Sequence, residues 1–166
     1  METLWAPWRM KYIQNVDKVD DNECIFCKKP SQPKEKDRGN LLLFRGEKCF
    51  VLMNLYPYNN GHLMIIPYVH TSDILSLDKE TSSELWELLC KSREILTKAI
   101  NPDAFNIGMN IGRVAGAGID QHIHMHIVPR WNGDTNFMPV IGKTKVISQS
   151  LEDTYDTLYP YFQELC

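Results

Sequence analysis

No apolar run in this sequence approaches the roughly 18 residues that a bilayer-spanning helix needs. The longest candidates, Leu63 to Pro67 and Ile123 to Pro129, are short or interrupted by histidine. No membrane partner is expected. Met1 to Met10 holds two tryptophans but no apolar stretch of the signal-peptide kind, so a cytoplasmic protein is expected. An excess of basic charge is also missing. The 18 Lys and Arg are outnumbered by 21 Asp and Glu, a net charge of −3. Holding nucleic acid by bulk electrostatics is thereby excluded, whereas a small anion needs only a local site. Cysteine is scarce and odd in number, with Cys24, Cys27, Cys49, Cys90 and Cys166 making five. That count argues against a disulfide framework. There is no internal repeat.

The 166 residues fit one domain. It divides into an N-terminal segment, 1–40, with a cysteine pair and an exposed loop; a core, 41–147; and a C-terminal helix, 148–166. Lys28 to Asn40, with two prolines and many charges, reads as the exposed loop. Leu41 to Phe44 and Lys48 to Met53 read as a hairpin around Arg45-Gly46-Glu47. Asn54 to Gly61 is turn-rich, and His62 to Pro67 has the length of a buried strand. From about Asp78 to Ile100, Leu85, Leu88, Leu89, Leu96 and Ala99 recur at helical spacing, and Thr81 with Glu84 fits a capping box. Cys90, inside that pattern, reads as a small core residue. Phe105 to Ile111 and Gln121 to Pro129 read as strands, separated by a glycine-rich turn, Gly112 to Gly118. Leu151, Tyr155, Leu158 and Phe162 share a face of a last helix, whose later part Pro160 weakens. The sum is an α+β fold: an antiparallel sheet of about five strands, one long helix and a C-terminal helix.

Three of the five histidines fall at His122, His124 and His126, alternating with Ile123, Met125 and Ile127. Alternation is the period of a strand, which places the three imidazoles on one face, about 6.6 Å apart along it. A helix would scatter them. The outer two, about 13 Å apart by the same rise, do not converge easily on one ion. A middle imidazole acting as nucleophile suits the row better, with phosphorus a natural electrophile and the glycine turn a source of amide donors to an anion.

His-x-His-x-His-x-x before Pro129 resembles the signature of the histidine triad superfamily of nucleotide hydrolases and transferases. MNLYPYNNGHLMIIPYVH and NIGMNIGRVAGAGIDQ resemble its earlier strand–loop–strand block and its phosphate-binding turn. PRWNGDTNFMPVIGKTKVI and the N-terminal LWAPWRMKYI resemble the branch near the fragile-histidine-triad hydrolases and the diadenosine tetraphosphate phosphorylases. The resemblance implies attack by His124 on the α-phosphate of a dinucleoside polyphosphate. A nucleotidyl-histidine would form, to be resolved by water or by phosphate. His122 and His126 would assist, the latter by hydrogen-bonding the phosphate or leaving oxygen. Asn110, Gly116, Ala117 and Gly118 would hold phosphates, and Asn54 would match the ribose-binding position unless it is simply a turn residue. The turn departs from relatives that carry serine or glutamine at Gly118, which directs attention to Gln121 and Arg113 as replacements. The resemblance also implies a homodimer. Alternative activities within it are nucleoside phosphoramidase action and nucleotide binding with weak chemistry.

Cys24-Ile25-Phe26-Cys27 is a C-x-x-C whose zinc reading needs two further ligands. A redox pair would ordinarily open a helix in a βαβ context, and KKPSQP follows here. His70 and His122 are the best completions, and they match positions that some bacterial triad proteins and the galactose-phosphate uridylyltransferases use with a cysteine pair. Such a closed four-ligand zinc site would be structural; no organic cofactor is implied. His62 carries no assigned role. Trp5, Trp8 and Trp131 read as packing or interface residues before base-stacking ones.

Overall fold

The computed structural model describes residues 24–134, 147 and 149–165. Trp5, Trp8, Cys166 and parts of the terminal resemblances lie outside them. The described chain runs α1 (Ile25–Ser31), a 3-10 turn (Lys34–Lys36), α2 (Asp37–Asn40), β1 (Leu42–Arg45), β2 (Cys49–Met53) and β3 (Leu63–Pro67). It continues with a 3-10 turn (Ile74–Ser76), α3 (Lys79–Ile100), β4 (Ala104–Met109), a 3-10 turn (Arg113–Ala115), β5 (Met125–Arg130) and α4 (Leu151–Gln163). The strands form one antiparallel sheet in the order β1-β2-β3-β5-β4. The α+β expectation is met.

Strand alternation sorts the apolar residues onto two faces. Leu43, Val51, Met53, Leu63, Ile65 and Ile127 face the long helices, meeting Leu85, Leu88, Leu96, Tyr155, Leu158 and Phe162. Leu42, Phe50, Leu52, Met64 and Ile66 face the other way and are covered by Phe26 of α1. Met64 pairs with His126 across β3 and β5, and Leu63 with Ile127. That register puts His126 on the α1 face, opposite the large helical layer.

Several expectations need correction. Lys28 to Asn40 is not a loose loop but contains the end of α1, a 3-10 turn and α2. Arg45 ties these together by donating to the Asp37 carboxylate (2.6 and 2.9 Å) and to the Pro30 and Gln32 carbonyls. The long helix is capped by Asp78, whose carboxylate accepts the Thr81 N–H at 2.7 Å, so Thr81 is not the cap. Glu84 instead reaches the β1–β2 turn and accepts the backbone N–H groups of Glu47, Lys48 and Cys49. Cys90 is exposed, because the buried face of α3 runs through Leu85, Leu88, Leu89, Ser92, Ile95 and Leu96. The helix α4 continues past Pro160, with Phe162 fully buried in its last turn.

The strand expected over Gln121 to Pro129 begins only at Met125. The β3–β5 ladder extends from Leu63↔Ile127 to Ile65↔Met125, and two residues further along Pro67 would fall opposite Ile123. Proline has no N–H to continue it. The Ile123 N–H goes to the Thr71 carbonyl (2.8 Å), and the Pro67 carbonyl takes a histidine ring instead. His122 and His124 therefore sit just ahead of the strand and outside it.

Glu84→Ala leaves three amides of the β1–β2 turn without their carboxylate and is expected to lower the unfolding free energy by about 1–3 kcal/mol. Urea denaturation would show this as a lower midpoint at unchanged slope; an unchanged midpoint contradicts the role given to Glu84.

Candidate active site

The site is assembled on the α1 face by four segments: the start of β5, the residue before β3, α1, and the turn before β5. Gly61 makes the second of these possible. Its φ is +69°, and a Cβ there would lie 2.6 Å from Ile100 Cδ1, so only glycine lets the chain turn from the 54–61 loop into His62.

Each imidazole has its ring nitrogens assigned by its partners. His124 is buried, and its Nδ1–H donates to the His122 carbonyl at 2.8 Å. The lone pair is thereby on Nε2. Burial pushes the His124 pKa below the ordinary value, partly offset by that hydrogen bond, so the ring is neutral at pH 7. His126 takes the opposite tautomer. The Tyr58 N–H donates to His62 Nδ1 at 3.0 Å, which leaves the His62 proton on Nε2. His62 Nε2 lies 2.9 Å from His126 Nδ1 and donates to it, so His126 carries its own proton on Nε2. The two ring centroids of His124 and His126 are 4.7 Å apart. An imidazole with its lone pair on Nε2 and one with its proton on Nε2 thus stand side by side.

His62 is the residue that sequence reasoning missed. Its signal was period two: it lies two residues before Met64 and so shares that residue's face. Only the β3–β5 register shows that this is the triad's face. Phe26 was missed as well; its ring lies 5.0 Å from the His124 ring and 5.6 Å from that of His122.

His122 is turned away from the other two. Its Nε2–H donates to the Pro67 carbonyl at 2.8 Å, and its Nδ1 lies 3.4 Å from Cys24 Sγ and 3.6 Å from Cys27 Sγ. Cys27 Sγ is 3.4 Å from His70 Nδ1. The four ligand atoms of Cys24, Cys27, His70 and His122 all lie within 4.8 Å of one another. A tetrahedral zinc with bonds of about 2.3 Å to sulfur and 2.0 Å to nitrogen separates neighbouring ligand atoms by about 3.5 Å. The cluster fits such an ion, and the Pro67 hydrogen bond presents the His122 lone pair to it. The C-x-x-C does open a helix, with Cys24 at the N-cap of α1. Burial and the neighbouring Cys24 push the Cys27 thiol up to about 11, away from thiolate reactivity. Burial pushes His122 down to about 4. Both of its ring nitrogens are occupied, which leaves it no proton-transfer role.

The glycine turn is held by Gly112 (φ +83°) and Gly116 (φ +94°). The N–H groups of Gly116 and Ala117 are used inside it, on the Arg113 and Gly112 carbonyls at 3.0 and 3.4 Å. These two amides are engaged within the turn itself. Gly118 and Asn110 are half-buried beside it, Gln121 is exposed, and Arg113 pairs with Asp120 at 3.2 Å across the turn. Asn54 Oδ1 accepts the Tyr56 N–H at 2.9 Å, and its Nδ2 lies 3.4 Å from His62 Nδ1, so it shapes the loop that carries His62. Trp131 is half-buried and donates its indole N–H to the Asn101 carbonyl at 3.1 Å.

Comparison with known proteins agrees with this arrangement. A family model described as HIT domain matches residues 35–133. A Mycobacterium tuberculosis protein named AP-4-A phosphorylase is 39% identical over 157 residues, covering 93% of this chain and 80% of its own length. A Schizosaccharomyces pombe protein named adenosine 5'-monophosphoramidase is 32% identical, covering 66% of this chain and 75% of its own. Among solved structures, a zinc-bound histidine triad family protein from Mycobacterium smegmatis shares the fold. It has a TM-score of 0.67 at 23% identity and covers 86% of this chain and 95% of that one.

His62→Phe keeps a ring in place but removes the donor to His126 Nδ1. The nitrogen-15 spectrum of His126 is expected to change from a single Nε2–H tautomer to a mixture; an unaltered tautomer refutes the His62–His126 link.

Proposed function

The chain belongs to the HIT domain family, and on that premise we propose that it cleaves dinucleoside polyphosphates of the diadenosine tri- or tetraphosphate type at the α-phosphate. The observation that carries the reading is the pair of opposed tautomers at His124 and His126. His124 Nε2 attacks the α-phosphorus and a P–N bond forms. The P–O bond to the departing polyphosphate or nucleotide breaks, and the His126 Nε2 proton passes to the leaving oxygen. Water or inorganic phosphate then attacks the nucleotidyl-histidine, returning Nε2 of His124 and delivering a proton back to His126. Asn110, the turn from Gly116 through Ala117 to Gly118, and Gln121 cradle the polyphosphate, with Arg113 supplying local positive charge. Asn54 supports the ribose side.

Cys24, Cys27, His70 and His122 hold a zinc ion. With four protein ligands it has no open position, so its contribution is structural. The His122 backbone carbonyl, anchored by that site, orients His124. A homodimer is supported by β4, which stands at the sheet edge with Ile107 exposed near the exposed Trp86 of α3. No described helix is long and apolar enough to cross a membrane, and the weak net negative charge of −3 gives no support to nucleic-acid binding. A second reading, nucleoside phosphoramidase, is favoured by the 32% identity to the fission-yeast monophosphoramidase and differs only in the leaving group.

Incubation with diadenosine tetraphosphate, with and without phosphate, tests the reading. Phosphate-independent AMP plus ATP means hydrolysis, and ADP plus ATP formed only with phosphate means phosphorolysis. Neither product, with turnover of adenosine phosphoramidate, selects the second reading. His124→Ala is expected to lose at least about 10³-fold in kcat; wild-type turnover would refute the nucleophile. Cys24→Ser with Cys27→Ser is expected to take zinc from one equivalent per chain to none by elemental analysis. Retained zinc would refute the ligand set.

A further inference from the structure

The tetrapeptide that supplies two of the metal ligands also supplies the wall beside the nucleophile. Phe26 lies between Cys24 and Cys27, is 2% exposed, and packs on Leu42, Phe50, Leu52, Met64 and Ile66. Its ring contacts both His122, a metal-site residue, and His124. We propose that Phe26 is a positioning residue through which occupancy of the Cys24–Cys27–His70–His122 site holds the His124 imidazole in its reactive orientation.

The argument begins with α1. At seven residues, with Pro30 inside it, this helix is too short to persist by itself. Its two ends are held by different means. The C-terminal end is tied down by Arg45, which donates to the Pro30 and Gln32 carbonyls, and by Lys29, which donates to the Asn40 carbonyl at 2.8 Å. At the N-terminal end Cys24 is the N-cap residue and makes no side-chain cap hydrogen bond. Its sulfur points to His122 Nδ1 at 3.4 Å instead. The described ties at that end are the packing of Phe26, with Cys24 and Ile25, on the apolar cluster and the Cys24–Cys27–His70–His122 group. Phe26 sits two residues past the cap, within the first turn, at the end that the metal ligands Cys24 and Cys27 bracket.

Two supports converge on His124. The His122 carbonyl accepts its Nδ1–H, and the Phe26 ring leans on its face, tilted by 56°. Both supports belong to segments that the metal joins: His122 is a ligand, and Phe26 is flanked by ligands. Filling the site cross-links α1 to the chain ahead of β5 and clamps His124 between them. Emptying it frees two thiols and the His70 imidazole, which have little other reason to stay within 3.4–3.6 Å of their partners, and although His122 keeps its bond to the Pro67 carbonyl, the Phe26 wall loosens against His124. His62 and His126 are held by the Tyr58 amide and by one another, so their pairing is independent of the metal. The predicted effect is therefore confined to the nucleophile.

The proposal rests on the readings of His124 as nucleophile and of the cluster as a zinc site, and its test is separable from both. Full-length protein is loaded with zinc, treated with a chelator, and reloaded, while nitrogen-15 spectra follow the His124 and His126 tautomers. With zinc, His124 is expected as a single Nδ1–H tautomer in contact with the Phe26 ring. Without zinc, that contact is lost and the tautomers mix, His126 is unchanged, and reloading restores the first state. Phe26→Leu, which keeps apolar volume but no ring, is expected to retain one zinc and lower kcat about tenfold, with KM within twofold. A purely structural role would lower stability and leave this split unmoved. A His124 signature indifferent to zinc, or a zinc-replete Phe26→Leu with wild-type kcat, overturns the proposal. If Phe26→Leu does not fold, the zinc cycle on the wild-type protein decides alone. If His124→Ala retains turnover, the catalytic reading fails, while the spectra still report whether metal and Phe26 position that ring.

Discussion

The hydrogen bond from the His122 ring to the Pro67 carbonyl governs the arrangement of the site. Proline cannot donate to the sheet, so β3 ends its ladder with β5 there and offers a carbonyl to a side chain instead. Once His122 Nε2–H is committed to that carbonyl, Nδ1 is left for the cysteine pair. The His122 backbone oxygen is left to receive the Nδ1–H of His124, whose lone pair must then lie on Nε2. One missing N–H in a strand is thus linked through two rings to the tautomer of His124. Three histidines that look equivalent in the sequence are assigned three different roles.

The second imidazole pair follows the same logic from the other side. The loop of residues 54–61 turns at Gly61 because no side chain fits against Ile100, and the turn delivers His62 to the triad face. The Tyr58 amide fixes His62, and His62 fixes His126. Two neighbouring rings, His124 and His126, therefore hold opposite tautomers. Catalysis by preorganised neutral groups suits an anionic substrate, since a buried carboxylate beside the phosphates would oppose binding.

Stability and function are divided between the sheet's two faces. The long helices α3 and α4 cover one face with leucine, isoleucine and aromatic side chains. The other face carries the small α1 layer, the metal cluster and the imidazoles. The large core keeps the strand register fixed, and the register is what aims His126 toward His62 and away from the helices. The thin layer has few apolar contacts of its own and relies on Arg45, Phe26 and the ligand cluster to hold its shape.

Much was legible in the residues. Period two brought the His124 and His126 rings together while His122 turned away, helical spacing marked α3 from Asp78, and C-x-x-C with two histidines pointed to four side chains that the fold gathers. These are local patterns, carried by backbone geometry that every strand and helix shares. What stayed hidden depended on pairs far apart in the chain. His62 belongs to the site only through its approach to His126, 64 residues away. Phe26 became a neighbour of His124 only when α1 docked on the sheet. Glu84 looked like a helix cap and instead holds the β1–β2 turn, while Cys90 fell on the open side of α3 because the sheet packs against the face beside it. Residue types and their spacing determined which chemistry the chain can perform. How each ring is held was decided by the folded structure, because a ring's tautomer is set by the partner at its other nitrogen, and for His122 and His126 those partners come from distant segments.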